Sequence, residues 1–576
     1  MSSLANLPCP TPRNGLVGPK VGLAALFLVG VLLGSWPHVL DWWELRRSAE
    51  IPDSDALLYL AWSHSAVAEG GWNLTDAVHQ PSGPMMHPKL LFVPPALLSR
   101  ISGLSLGLIW RVIGGGGIAL ALYASIRPVM KSPWTAIGLA LFLLCDPGFL
   151  FGQWIQREVE IVVALLHGDD RMFSSVPRFL PHLRVPTPAW PIVVLLVHLA
   201  GILQARKTGR SRATLVAAVA FGLLFHTFFY FWTAVGLALV LAFLLDREGR
   251  KLYFRVALIG GLIGLPAVWE GFQVRGDTPA DWLLRTAKFL PIPRFSELLF
   301  PKILVVEWLL LAPLAFRTGR ERLYPWCLTG AGLLWANHQV LTGLQIENFH
   351  WTHAYGVAFS VSAAVLLGPW LEERVERSTW RRCALIGALI GQVVLAFGLR
   401  TLETNRSHET LHFRELAQVC RQELDGRMEA GSVVAGDPEA TFLEAAEAGI
   451  RPLSGRLVEY SALATDDELD ARLVLNLYLS GETIEQARGA VSQPAGTWGQ
   501  EALATRDHNA ADRQKARRLG WVDKVWADPD RWIDFYQVEY LLLRADKSPP
   551  DRSISRIEPI ATGRPTWKLW KIRPKP

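Results

Sequence analysis

Charge is what this sequence has too little of. Only 19% of its 576 residues are Asp, Glu, Lys or Arg, against about 25% in an ordinary soluble protein. The deficit is uneven. From Pro19 to Arg400 apolar stretches alternate with short polar segments, whereas Thr401 to Pro576 reads as a soluble sequence rich in Glu, Asp, Arg and Ala. No stripe of Lys and Arg interleaved with aromatics occurs, which argues against a nucleic-acid partner. Cysteine is scarce as well. Cys9, Cys145, Cys327, Cys383 and Cys420 are scattered without metal-ligand spacing. Cys420 alone follows residue 400, so the soluble segment holds no internal disulfide. A phosphate-cradling glycine motif is also missing, since Gly431 and Gly436 do not form G-x-G-x-x-G.

What is present is hydrophobic length. A membrane-spanning helix needs about 20 mostly apolar residues. Stretches near 20–40, 104–126, 133–152, 188–205, 213–229, 231–246, 253–270, 301–316, 325–342, 353–371 and 383–399 qualify or nearly do, predicting about eleven spans. The fifth and sixth are joined by Phe225-His226-Thr227-Phe228-Phe229-Tyr230-Phe231-Trp232, either a tight turn or the middle of one kinked helix. The first span follows a weakly basic, proline-containing N-terminus without a small-residue cleavage site and reads as an uncleaved anchor. The 24 Trp and 25 Phe suit a bilayer protein.

Short basic connections set the orientation. They carry Arg127 and Lys131; Arg206, Lys207, Arg210 and Arg212; Arg247, Arg250, Lys251 and Arg255; Arg317, Arg320 and Arg322; and Arg374, Arg377, Arg381 and Arg382. With eleven spans all of them share the side of the N-terminus, which is therefore cytoplasmic, in a cytoplasmic (inner) membrane. The expected fold is mainly α: a polytopic helix bundle over residues 1–400, then a small extracytoplasmic α/β domain over 401–576. Within that domain Val433–Gly436 reads as a strand, with Asp437 and Pro438 opening a helix that stops at Gly449. Further helices are expected near 466–480 and 509–518, and strands at Phe535–Arg544 and Thr566–Ile572. No nucleophile–base pair stands out there, so structural work or acceptor binding is expected of it.

The outer connections are the long ones, 41–103, 153–187 and 271–300, with the brief polar 343–352, and long loops beside a rigid bundle carry function. In the first, Asp53 follows Pro52 in a good N-cap position, and Asp55 and Tyr59 share a helical face. Asp55 reads either as a complement to the helix dipole or as a general base. In the second lie Arg157, Glu158, Glu160, His167, Asp169, Asp170, Arg171, Arg178, His182 and Arg184. The arginines suit a phosphate, which guanidinium grips in two places. Asp169 and Asp170 read either as ligands of a divalent ion, Mg or Mn, with Glu158 or Glu160, or as a solvated turn. His167 and His182 lack the short helical spacing of a zinc pair. Arg275, Asp277, Asp281, Arg285 and Lys288 suit an interfacial helix. Asn337-His338-Gln339 and Glu347-Asn348-Phe349-His350-Trp351-Thr352-His353 are dense enough in polar groups to line a wet cavity.

The first outer connection continues through Glu69-Gly70-Gly71-Trp72, His79, Pro81, His87-Pro88-Lys89, Arg100 and Gly103 to Trp110-Arg111. Over roughly residues 50–112 this layout resembles the GT-C glycosyltransferases, in particular the protein mannosyltransferase and aminoarabinose transferase group. The resemblance implies that Asp55 is the catalytic acid, Tyr59 the family's tyrosine and Lys89 its lysine. It departs at the acid pair, because residue 56 is Ala and the second acid, Asp53, lies two positions earlier. It further implies an inverting transfer of sugar from a polyprenyl-phosphate donor to a lipid, glycan or protein acceptor at the outer face. His87, Arg157, Glu158, Arg171, Arg184, Glu347, His350 and His353 are the expected substrate contacts. The competing expectation is a non-enzymatic transporter or flippase of lipid-linked or polar solutes, against which counts the lack of an internal repeat.

Overall fold

The computed structural model describes residues 18–45, 57–63, 89–168, 179–277, 290–296, 298–317, 322–346, 350–406, 408–424, 426–455, 464–492, 510–550, 556–560 and 566–574. The chain is mainly helical. In order come α1 (Pro19–Leu45), α2 (57–63), α3 (Lys89–Ser102), α4 (Leu106–Ile126), α5 (Pro133–Cys145), α6 (Trp154–Leu166), α7 (Ala189–Thr208), α8 (Ser211–Phe225), α9 (Phe229–Leu245) and α10 (Arg250–Asp277). Then follow β1 (Leu290–Pro291), α11 (Lys302–Arg317), α12 (Leu323–Trp335), α13 (Gln339–Thr342), β2 (Leu344–Gln345), α14 (His350–Glu376) and α15 (Thr379–Arg406).

Among the described residues six helices are long and apolar enough to cross a membrane by length and composition: α1, α4, α7, α10, α14 and α15. The apolar helices α5, α8 and α9 are shorter. Each apolar stretch of the sequence has its helix, though α5 stops at Cys145, where Asp146 turns the chain by accepting from Gly148 N at 2.8 Å. At His226 the chain turns rather than kinks. Phe228 is extended, with φ −156° and ψ 114°, and Phe225 stacks on Trp232 at 4.3 Å across the turn.

Helices α1 and α4 cross with almost no space between their backbones. A Cβ on Gly30 would lie 2.5 Å from Gly115 O, one on Gly115 2.1 Å from Gly30 O, and one on Gly34 2.5 Å from Arg111 O. Small residues permit such approach, and in lipid it is dispersion rather than the hydrophobic effect that rewards it. Four of the five basic connections are tied together at one end of the bundle. Glu372 accepts from Lys131 N and Ser132 N at 3.0 and 2.5 Å, Lys207 donates to Pro128 O, and Arg206 reaches buried Asp246 at 3.0 Å. Asp246 also accepts from Tyr253 OH at 3.0 Å and from Gly249 N at 3.1 Å.

After α15 the chain continues through α16 (His408–Leu424) into a five-stranded mixed sheet of order β4-β3-β5-β7-β6. Its strands are β3 (Val433–Gly436), β4 (Arg451–Pro452), β5 (Val538–Arg544), β6 (Ile557–Ile560) and β7 (Trp567–Ile572). β3 pairs in parallel with β4 and β5, and β7 runs antiparallel to β5 and β6. Between β3 and β4 lies α17 (Pro438–Ala448); between β4 and β5 lie α18 (Asp466–Leu479), α19 (Ile484–Ser492), α20 (Ala510–Ala527) and α21 (Pro529–Phe535). Asp437 caps α17 as its sequence predicts, accepting from Glu439 N and Ala440 N.

Strand period sorts the core. Tyr540 and Leu542 share a hydrophobic cluster with α16, α17 and the long helices, whereas Leu541 and Leu543 face a second cluster built on α18 and α20. The expected strand at Phe535 begins instead at Val538. Asp528 caps a short helix with Pro529 at its first position, and that helix keeps Phe535.

Candidate site at one end of the bundle

The long connection between α1 and α4 is described only in part. Asp53, Asp55 and His87 lie outside the described residues, as do Asp169, Asp170, Arg171 and Glu347. Lys89 opens α3. Tyr59 belongs to α2, whose Leu57, Leu58, Leu60, Ala61 and Trp62 are buried. Its ring stacks on Phe92 of α3 at 5.8 Å and meets Trp62 edge-on at 5.7 Å. α3 in turn is tied to α4, because Trp110 Nε1 donates to Leu91 O at 3.1 Å. The Tyr59 hydroxyl accepts from Thr187 Oγ1 at 3.2 Å.

Thr187 ends a strap, residues 181–188, that lies between α6 and α7. Both of its X–Pro bonds, Val185–Pro186 and Thr187–Pro188, are cis. It is held at each end. His182 Nε2 donates to Leu144 O at 2.8 Å and its ring meets Phe149 edge-on at 5.1 Å, while Ala189 N donates to Arg184 O at 3.1 Å. Complete burial pushes the His182 imidazole down to about 4; the bond to Leu144 opposes this and the nearby Arg400 charge adds to it. Arg184 lies within electrostatic reach of His353 on α14, as does His350. The two imidazoles sit 5.8 Å apart; His350 packs on Tyr230 at 4.7 Å and on Phe228 at 5.7 Å, and His353 on Phe151 at 5.9 Å. His353 Nδ1 is buried with no hydrogen-bond partner among the described residues. Tyr59, Arg184, His350 and His353, far apart in sequence, are thus joined through one strap.

Other expected residues fall elsewhere. On α6, Glu158 accepts from Gln392 of α15, and Arg157 pairs with Glu160 at 3.1 Å near the surface. These bonds run to α15 and within α6, not to the Tyr59 group. Asn337 brackets the backbone of Leu299, accepting from its N at 2.9 Å and donating to its O at 3.0 Å. His338 and Gln339 are buried, Asn337 fastens the neighbouring segment, and His338 Nε2 bonds nothing among the described residues. Among the described residues no group of three or more His, Cys, Asp or Glu side chains is placed to hold a metal ion.

A second polar group escaped the sequence reading. His38 and Asp41 of α1, Arg111 of α4, and Arg400 and Glu403 of α15 are all buried. Arg400 Nη1 bonds Glu403 Oε1 at 2.7 Å, Trp36 Nε1 donates to Thr401 Oγ1 at 2.9 Å, and Arg111, Arg400 and Arg421 all act electrostatically on His38. The available signal was charge inside apolar runs, which is costly in a membrane and so informative wherever it occurs.

No family model matches the chain, and no curated protein matches it. Among solved structures it is similar to ArnT from Cupriavidus metallidurans bound to undecaprenyl phosphate, with TM-score 0.48 and 14% identity over 96% of this chain and 97% of that one. It is also similar to the arabinofuranosyltransferase AftD from Mycobacteria, with TM-score 0.49 and 14% identity over 97% of this chain and 40% of that one.

Proposed function

We propose that this protein is an integral membrane glycosyltransferase of GT-C type. It moves a sugar from a polyprenyl-phosphate donor to a lipid, glycan or protein hydroxyl at the extracytoplasmic face, with inversion. The supporting observation is the convergence just described: Tyr59 from the first long outer connection, Thr187 and Arg184 from the second, and His350 and His353 from the start of α14 meet at one place. A transfer site needs such convergence, because donor phosphate, anomeric carbon and acceptor oxygen must be held together.

In this reading eleven spans carry residues 1–400, with the basic connections cytoplasmic and residues 401–576 outside. Asp55 takes the proton of the acceptor hydroxyl as its oxygen attacks the anomeric carbon, and Asp53 caps the helix start or shares that proton. The bond from the anomeric carbon to the phosphate oxygen breaks, and the electron pair leaves with the polyprenyl phosphate. Lys89 and Arg184, with Arg157 and Arg171 around the entrance, balance the charge that gathers on the leaving phosphate. His87, Glu347, His350 and His353 bond sugar or acceptor hydroxyls, and Glu158 stays bound to Gln392. Asp169 and Asp170 are the residues that would hold a Mg or Mn ion to balance the phosphate charge.

Purified full-length protein is expected to turn over a polyprenyl-phosphate sugar, and Asp55→Asn to lose about 100-fold or more in kcat. Full activity in the variant would remove Asp55 as base. Binding or flux of the lipid without turnover by either protein would replace the transferase with a translocator.

A further inference from the structure

We infer that the tip of the α14–α15 hairpin binds the phosphate headgroup of an anionic phospholipid through Arg374, Arg377, Arg381 and Arg382. This site is independent of the transfer reaction and lies at the end of α14 away from His350 and His353.

α14 and α15 are both long and apolar enough to cross a membrane, and α15 begins at Thr379 directly after α14 ends at Glu376. Side chains around so short a turn between two spans are held at headgroup depth. Trp370 and Trp380 are 58% and 77% exposed there, and headgroup depth is where Trp gathers in membrane proteins. Glu372 ties the start of α5 to the same place through Lys131 N and Ser132 N, which brings exposed Lys131 and Trp134 alongside.

The four arginines are exposed, and most of their charge is unopposed by protein. Arg381 Nη1 donates to Arg374 O at 3.3 Å, Arg382 Nε to Val375 O at 3.3 Å and Arg382 Nη2 to Glu376 O at 2.5 Å. These acceptors are late carbonyls of α14, which the guanidiniums cap without meeting a full negative charge. Arg374 lies over the Trp370 ring at 5.3 Å. Among the described residues Arg377 alone pairs with a carboxylate, that of exposed Glu373, and such surface pairs hold weakly. Glu372 is buried on backbone N–H groups, so it does not offset the patch. Guanidinium grips phosphate in two places and keeps donors to spare after bonding one or two carbonyls. A phospholipid satisfies both parts of this surface, its phosphate on the arginines and its chains beside the Trp rings. A soluble anion uses only the first. α15 keeps little of its surface against the rest of the chain, so a lipid bridging it to α14 and α5 adds to its hold.

The test titrates full-length protein in neutral detergent with dioleoyl phosphatidylglycerol or dioleoyl phosphatidylcholine and follows the thermal midpoint. Phosphatidylglycerol should raise the midpoint at concentrations at least about tenfold below those phosphatidylcholine needs, and added salt should shrink that difference. Arg374→Gln with Arg377→Gln removes two charges and no carbonyl cap; half-saturation by phosphatidylglycerol should rise about tenfold or more, at about fivefold per base. Arg381→Gln with Arg382→Gln should act in the same direction. Arg210→Gln with Arg212→Gln, on the connection of α7 and α8, should stay within about twofold of the wild type, because those bases lie outside the patch and a surface charge acts only over about a Debye length. Equal stabilisation by the two lipids, unchanged half-saturation in both α14–α15 variants, or an equal loss in the Arg210 and Arg212 control overturns the inference. So does stabilisation by inorganic phosphate alone to the same extent, which would make this a site for free anions.

Discussion

Replacing Gly115 with Ala adds one methyl group to α4 at the point where α1 crosses it. The new Cβ would lie 2.1 Å from Gly30 O and 3.0 Å from Gly30 C. Ordinary contact begins near about 3.5 Å, so the helices must part by roughly 1 Å or more. Nothing flexible can absorb the overlap, because the atoms met are backbone. Forced insertion into a packed interface costs about 1–3 kcal/mol. A Cβ on Gly30 would likewise lie 2.5 Å from Gly115 O, so the crossing has no slack on either side, which places the expected loss at the upper end of that range. Gly387→Ala and Gly391→Ala on α15 are the controls, since a Cβ there meets nothing within 4 Å; in a helix they are neutral or stabilise by up to about 1 kcal/mol. The assay is the thermal midpoint of detergent-purified protein, followed by the loss of the monodisperse peak on size exclusion. Equal midpoints for Gly115→Ala and Gly391→Ala would refute the close crossing, whatever the absolute values.

Two further predictions concern charge. His182 has its folded value lowered to about 4 from an ordinary 6.5. The neutral ring is thus the form the fold favours, and its contribution is complete above about pH 6.5 and is lost as pH falls towards 4, by up to about 3 kcal/mol. Thermal midpoints taken from pH 7.5 to 4.5 should drop for the wild type and flatten for His182→Phe; parallel curves would show that the ring titrates as if exposed. At the other end of the bundle, Asp246→Ala leaves Arg206 and Tyr253 without their shared acceptor in a buried setting, for a loss of about 3 kcal/mol. Limited proteolysis of the connection between α9 and α10 should then speed up at least tenfold, and an unchanged rate would mean that this cluster does not hold the connection.

Legibility in the sequence followed the range of the interaction. Apolar runs of spanning length are local, and each has its helix. So is the Asp437–Pro438 start of α17, where cap and first-turn proline are adjacent. The turn at His226 was not decidable from periodicity, because a kinked helix and two abutting helices carry the same apolar pattern; the ring stack of Phe225 on Trp232 accompanies the turn. Phe535 was expected to open a strand, but the capping pair Asp528–Pro529 holds it in a short helix. The site divides in the same way. Tyr59 was visible from its spacing to Asp55, whereas its partner Thr187 stands 128 residues away in a Pro-rich segment that looked like a connector. The buried group of His38, Asp41, Arg111, Arg400 and Glu403 draws on three helices, so its assembly was not visible in the sequence beyond the i,i+3 spacing of Arg400 and Glu403 and of His38 and Asp41.

The two ends of the bundle use polar groups differently, and the difference bears on where chemistry is placed. At the end gathered by the basic connections, the groups are paired and short-ranged: Glu372 with the backbone at Lys131 and Ser132, Asp246 with Arg206, Tyr253 and Gly249. These bonds fix the loops, and Arg206 Nε and Arg322 Nε are also buried there without a hydrogen-bond partner among the described residues. At the opposite end the strap carries Arg184 and two buried imidazoles with ring nitrogens that bond nothing in the described protein, His182 Nδ1 and His353 Nδ1. Buried polar atoms left unpaired raise the free energy of the empty protein, and they are kept where water or a ligand supplies the missing bond. The proposed transfer site is set at that end because Tyr59, Thr187, Arg184, His350 and His353 meet there, and in that proposal a sugar hydroxyl or a donor phosphate is the group expected to complete it.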